Sequence, residues 1–392
     1  MGFAFSFHLF SHPRIYFRRM RGMKMKNRQE KEKTTELFSL LIAALLVIGL
    51  CVGSNAEKIS CTAASLMFKG DSVSKVTETK AEKTTIKVTE KATKNHEEKA
   101  AEIDLITTPA DILEVIKKYS VSTDGRKSIG KIKQTTYTEK GATDIFRNIR
   151  IRNNTSTKKI DIKKVLAEPL ELEIDKSRPA ILIFHSHTTE SYELSENTEY
   201  YEDETFRSSN ELLNVVRVGT EIANYLEKSG YTVIHDKTIH DESYNDSYPH
   251  SRKTIESILK ENPQIKIVID IHRDSIDLDG GTKIRPVSVI NGKKAAQMMI
   301  IAGTEEGKIK DFPDWEYNLR FAVNLQKKCE DMFPGIMRPL LFTQKKYNMD
   351  LTRFSLLIEM GSEVNTLEEA CYSGRLLAAV LASFMDEYTV KG

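Results

Sequence analysis

Apolar positions fall along this chain in two distinct ways. Leu37 to Gly53 (LFSLLIAALLVIGLCVG) is an unbroken apolar run without charge, about 17 residues long and at the short edge of what spans a hydrocarbon core of roughly 30 Å. Beyond residue 179 the apolar runs are short: Ala180–Phe184, Tyr231–Ile234, Ile265–Ile271, Gln297–Ala302 and Ser355–Ile358. Between several of them lie stretches of helical period: Leu212–Lys228, Ser251–Lys260, Trp315–Met332 and Leu367–Phe384. The first is expected to open on a capping box, Ser208-x-x-Glu211, and to stop at Gly230; the last opens with Thr366-x-x-Glu369. Strands that are apolar throughout are buried on both faces. Alternating with helices, they predict an α/β fold with a largely parallel sheet flanked by helices on both faces, over residues 179–392.

Between these zones the pattern changes twice. Residues 54–104 are dominated by Lys, Glu, Thr, Ser and Ala, cannot bury enough surface to offset ordering entropy, and read as a flexible tether. Residues 105–178 read as a small α+β region, with a helix in Ile106–Tyr119 and strand-like alternation at Ile149-Arg-Ile151 and Ile160-Asp-Ile162. The leader, 1–36, carries nine Lys and Arg residues. The positive-inside rule therefore keeps it in the cytoplasm and exports everything after the span. A cleaved signal ending near Ser54-Asn55-Ala56 is the competing reading of 37–53, and it exports the same remainder.

Lys and Arg number 58 against 56 Asp and Glu, a balance that excludes a globally basic nucleic-acid binder. Four cysteines lie far apart without a CxxC pair, which supports neither a zinc ribbon nor a disulfide scaffold. Cys329 and Cys371 fall on helices as small hydrophobes. Nucleotide-binding, GxSxG and HExxH motifs are absent.

The chemistry stands at the ends of the strands. Ala180–Phe184 runs into His185-Ser186-His187-Thr188-Thr189-Glu190; Ile265–Ile271 runs into His272-Arg273-Asp274; Ser355–Ile358 runs into Glu359. The carboxyl ends of neighbouring strands in an α/β sheet meet at one crevice. Two imidazoles and a carboxylate are the usual ligands of a catalytic Zn²⁺. Each residue also has a plain structural role open to it: a strand-end His is often just hydrogen-bonded, Glu190 could cap a helix, and Glu359 could pair with Arg273 or Arg353. An extended His-x-His would point both rings to one face. His235, His240 and His250 lie in a polar, aperiodic stretch read as a loop, and Tyr192, Tyr200, Tyr201, Tyr244 and Tyr248 in loops leaving the sheet edge, where exposed rings would suit a carbohydrate or peptide.

At four collinear blocks the chain resembles the stage II sporulation protein P family: ILIFHSHTTESY (181–192), NVVRVGTEIANYLEKSGYTVIHDKTIHD (214–241), IVIDIHRDS (267–275) and YNMDLTRFSLLIEMGSEVNTLEEA (347–370). The match covers about residues 145–388 and includes the anchor and tether. More distantly, it is similar to zinc-dependent N-acetylmuramoyl-L-alanine amidases of the cell-separation type. The resemblance implies Zn²⁺ on His187, Glu190 and His272, with Glu359 as catalytic base and Arg273 or another donor steadying the oxyanion. The Glu ligand departs from the amidase pattern, since Leu212 and Leu213 stand where it is expected beside Asn214. Glu211 is the runner-up for that ligand, and His185 an alternative or supporting partner to His187. It further implies a peptidoglycan hydrolase of a membrane-anchored, extracytoplasmic kind acting at the septal or forespore membrane during engulfment. The implied partners are stage II sporulation proteins D and M. A zinc carboxypeptidase or endopeptidase on wall peptides and a non-catalytic wall-binding scaffold are the alternatives.

Overall fold

Ile181 and Ile183 on one strand face one core, while Leu182 and Phe184, alternating with them, face another, so this strand is covered on both sides. The same alternation divides Ile267, Ile269 and Ile271 from Val268. This arrangement belongs to a computed structural model that describes residues 104–390, all within one compact unit, Glu97–Gly392. The leader 1–36, the span 37–53 and the tether 54–104 (save Asp104) lie outside the described residues. Among the described residues, no helix is long and apolar enough to cross a membrane.

The chain begins with α1 (Ala110–Tyr119), β1 (Ser128–Thr135), β2 (Asp144–Phe146), β3 (Ile149–Asn153) and α2 (Ile162–Ala167). It continues through β4 (Pro179–Phe184), β5 (Glu199–Tyr201), α3 (Val215–Lys228), β6 (Thr232–His235), α4 (Ser247–Glu261) and β7 (Ile267–Asp274). A short β8 (Asp277–Leu278), β9 (Thr282–Ile290), β10 (Lys293–Ala296), β11 (Met298–Gly303) and α5 (Trp315–Met332) follow, then β12 (Leu340–Thr343), β13 (Ser355–Ser362) and α6 (Leu367–Asp386). Eight strands form one sheet in the order β2-β3-β12-β11-β13-β7-β4-β6. A second sheet runs β10-β9-β1-β5, with β8 on β9.

The sheets are mixed, which corrects the expectation of a largely parallel one. In the large sheet β2 pairs antiparallel with β3, and β11 antiparallel with β13. Burial on both faces makes a strand apolar throughout whichever way it runs, so the pattern is blind to direction. The reversal at β11 has a local cause. Val287-Ser-Val-Ile290 turns at Asn291-Gly292, with φ of 50° and 79°, into β10, which leads through Gln297 directly into β11. Asn-Gly with both φ positive is the two-residue hairpin turn that matches strand twist. No helix separates β10 from β11, so no right-handed crossover restores the parallel direction. The region 105–178 is likewise stitched into the rest: β3 pairs with β12, and β1 with β9.

Several helix starts differ from expectation for side-chain reasons. Helix α3 begins at Val215, because Asn214 accepts from Val216 N; Ser208 and Glu211 form no capping box there. Asp161 caps α2 by accepting from Lys163 N and Lys164 N, so the expected strand at Ile160-Asp-Ile162 is a helix start. Helix α6 does carry its capping box, Thr366 with Glu369. Residues 235–251 are an exposed loop only in part: α4 begins at Ser247, His240 is buried and His235 bonds His185, whereas 242–246 and His250 are exposed.

That last contact fixes how α3 lies on the sheet. His185 Nδ1 donates to Ile271 O (3.0 Å), and the Nε2 atoms of His185 and His235 stand 2.9 Å apart, sharing one proton. A Cβ at Gly219 would stand 2.6 Å from His235 Nε2 and 2.7 Å from His185 Nε2. Gly219→Ala is therefore expected to destabilise by about 1–3 kcal/mol through overpacking, despite alanine's better helix propensity, as read by urea unfolding.

Candidate functional site

Parallel pairing brings three strand ends to one edge. In register, Phe184 of β4 lies opposite Asp270 of β7, and His272 of β7 opposite Glu359 of β13. Neighbouring strands are about 4.8 Å apart, so His272 and Glu359 are adjacent side chains. The chain after β4 turns rather than staying extended, and this separates the two histidines expected to share a face. His185 points into the core toward His235, whereas His187 enters a cavity of about 420 Å³ at the sheet edge. That cavity is lined by His187, Glu190, His272, Arg273 and Glu359, together with Tyr244, Tyr248 and Tyr347.

His272 is the most constrained of these groups. Its Nε2 stands 2.9 Å from Asp270 Oδ1 and 2.8 Å from Ser186 Oγ, which itself donates to Asp270 Oδ2 at 2.6 Å. Two residues apart on one strand, Asp270 and His272 share a face. With Nε2 committed to Asp270, Nδ1 faces Glu190 Oε2 at 3.3 Å. Burial opposes a charge on this ring, but Asp270 and Glu190 outweigh it and push the imidazole well above its ordinary value. Burial also raises Glu190, yet the hydrogen bond and charge of His272, with Arg273 and His187, hold it at about 2. The Arg273 main-chain N–H donates to Glu190 Oε2 (3.1 Å), and its guanidinium donates to Phe206 O (2.8 Å).

His187 and Glu359 are the under-used members. His187 Nδ1 and Glu359 Oε2 are buried without a hydrogen-bond partner. Burial, then the nearby His272, lowers His187. Burial, then Asp274, pushes the Glu359 carboxyl up to about 8. Arg353 pairs instead with Asp314, so Glu359 is not its ion-pair partner.

Do these residues fit a divalent metal? Among the described residues, no three His, Cys, Asp or Glu side chains already form a metal cage. The fit rests on pairs. Ligands bonded at 2.0–2.1 Å in a tetrahedron lie about 3.3 Å apart, which is the separation of His272 Nδ1 from Glu190 Oε2. Two imidazoles on one such ion place their ring centres about 5 Å apart, and those of His187 and His272 are 5.3 Å apart. The donated proton from His272 Nε2 to Asp270 is the outer support that ligating histidines usually have. The donor set fits. Glu211 does not join it, being exposed and 3.7 Å from Lys237 Nζ. His185 does not either, since both its ring nitrogens are bonded elsewhere.

Residues that sequence reasoning left unassigned complete the surroundings. Asp241 accepts from Thr189 and Arg207, bracing the turn that carries His187. Tyr244, 62 % exposed, stacks on His187 at 4.5 Å, and Tyr347 stacks on Tyr248 at 5.0 Å. Tyr192 and Tyr200, expected as exposed loop rings, are buried. The i, i+2 spacing of Asp270 and His272 was the available signal for Asp270 as the support of that imidazole; nothing local marked Asp241.

A family model described as stage II sporulation protein P matches residues 68–382. The stage II sporulation protein P of Bacillus subtilis (strain 168) is 31 % identical over 204 residues, 49 % of this chain and 47 % of the relative. The chain thus spans about half the length of that curated relative. Among solved structures, the CwlD amidase of Clostridioides difficile, in complex with the GerS lipoprotein, is 12 % identical, covering 53 % of this chain and 98 % of its own, with a TM-score of 0.33. The N-acetylmuramoyl-L-alanine amidase AmiC2 of Nostoc punctiforme is 11 % identical, covering 53 % and 96 %, with a TM-score of 0.31.

Proposed function

The chain belongs to the stage II sporulation protein P family, and from that premise we propose that it is a zinc-dependent peptidoglycan hydrolase cleaving the N-acetylmuramoyl-L-alanine amide. The observation that supports this reading best is the single cavity shared by His187, Glu190, His272 and Glu359. His187, Glu190 and His272 would hold the ion. Zinc, when bound, supplies Lewis acidity: a water of lowered pKa, near 7, and a polarised carbonyl.

The chain's own part is proton handling and orientation. Asp270 and Ser186 fix the His272 tautomer, so that Nδ1 faces the cavity. Arg273 holds Glu190 through its main-chain N–H. Glu359 takes the proton from the attacking water; the water oxygen bonds the amide carbon, the C–N bond breaks, and Glu359 returns the proton to the leaving nitrogen. A carboxyl already pushed up to about 8 by burial is a ready proton carrier, and a neighbouring divalent cation favours its ionised form. An arginine guanidinium occupied by Phe206 O is less free to meet an oxyanion, so Arg273 acts mainly as a positioning residue.

The wider setting belongs to the same reading. The apolar run 37–53 would anchor the protein in the cell membrane with the hydrolase outside, acting on septal wall during forespore engulfment alongside stage II sporulation proteins D and M. Digestion of purified wall tests the chemistry. Mass spectrometry is expected to find intact stem peptides with a free L-alanine amino end; cleavage only within the peptides would replace the amidase with an endopeptidase. Stripping the metal with a chelator is expected to abolish release, and adding back zinc to restore it.

A further inference from the structure

Beside the candidate metal cavity lies a second one, of about 270 Å³, lined by Tyr119, Tyr192, Glu193, Leu194, Glu204 and Phe206 among others. Arg207 lines both. Most charges here are already matched. Arg126 Nη2 stands 2.8 Å from Asp203 and 2.9 Å from Glu204. The other Glu204 oxygen accepts from Tyr201 N at 2.9 Å. Arg207 is 2.7 Å from Asp241 and 3.7 Å from Glu190.

Glu193 is the remainder. It is 8 % exposed, and Asn197 Nδ2 donates to its Oε2 at 3.2 Å, while Oε1 has no partner. Glu193 N donates to Asn365 O (3.0 Å) and Leu367 N donates to Glu193 O (2.8 Å), which pins this stretch to the start of α6. Burial and the nearby Glu204 push the Glu193 carboxyl up to about 7, whereas Arg285 and Arg126 act the other way. A buried acceptor with a free oxygen, in a cavity that Leu194, Phe206 and Leu213 also line, matches a donor carrying positive charge on an aliphatic stem.

We infer that this second cavity is a subsite for a primary amine on the peptide part of the substrate, received by Glu193. The identity of the peptide rests on the hydrolase reading above; the binding of an amine does not. Glu190 and Glu193 are three residues apart, so the two cavities are within about 10 Å along the chain, the reach of two or three residues of an extended peptide.

Calorimetry on the full chain decides it, using a short wall-type peptide with one side-chain amine and the same peptide acetylated at that amine. The free-amine form is expected to bind about tenfold tighter or more, the usual strength of a charge-assisted hydrogen bond. Glu193→Gln is expected to bring the ratio close to one, and Glu359→Gln to leave it intact. Equal affinity of the two peptides for the unmodified protein overturns the proposal, as does a ratio that survives in a folded Glu193→Gln chain. A preserved ratio in a protein that releases nothing from wall would remove the hydrolase reading and leave the amine site standing.

Discussion

Glu359→Gln is expected to lower release of stem peptides from purified wall by about 10³-fold while leaving bound zinc and the melting temperature near their original values. The carboxyl is adjacent to His272 across β7 and β13, and one of its oxygens is buried without a partner. Glutamine preserves its shape but neither takes nor returns a proton. The change also removes an ionisable group that burial disfavours, so stability is expected to hold or rise slightly. Turnover measured beside metal content separates the two roles: intact turnover contradicts the assignment of Glu359 as the base, and lost metal moves it into the ligand set.

His272→Ala has the largest expected effect on stability. In the ion-free chain this imidazole lies between Asp270 and Glu190, at 2.9 Å and 3.3 Å, and all three are buried. Removing it leaves two buried carboxylates facing each other, a loss of about 3–5 kcal/mol in urea unfolding at pH 6. The sign with pH follows from the direction of the shift. A histidine whose folded pKa lies well above 6.5 stabilises fully below about 6.5, and that contribution fades as pH rises toward the folded value. The gap between His272→Ala and the unmodified chain, measured without metal, is therefore expected to narrow in alkaline buffer. A loss below about 1 kcal/mol at pH 6 contradicts the central place given to His272.

Much of this architecture is written in the order of apolar runs, because a run that ends in His or Glu at a sheet edge carries its own address. Helix Trp315–Met332 was legible from its period, and the helix from Leu367, expected to Phe384 and running to Asp386, from period and cap. Strand direction was not, since Met298–Gly303 and Ser355–Ser362 look alike in composition yet run antiparallel. The Asn291-Gly292 hairpin was the missed signal for that reversal. At the site, the parallel pairing of β4, β7 and β13 brings His187, His272 and Glu359 to one cavity, and Glu190 follows from the turn after β4. What the sequence hid was the parting of His185 from His187, which depends on a turn, and the burial of His240, which depends on contacts with His185 and Thr254 across the fold. Side-chain direction in a turn is set by distant partners, and periodicity has no access to those.

One ion shared by His187, Glu190 and His272 is central to the proposed chemistry. X-ray absorption at the zinc edge on the purified chain, with metal quantified in the same sample, addresses that directly. The predicted result is about one zinc per chain with two imidazoles and a carboxylate in its coordination shell, one imidazole being lost on His187→Ala. A chain that takes up no stoichiometric zinc, or a spectrum without imidazole scattering, contradicts it.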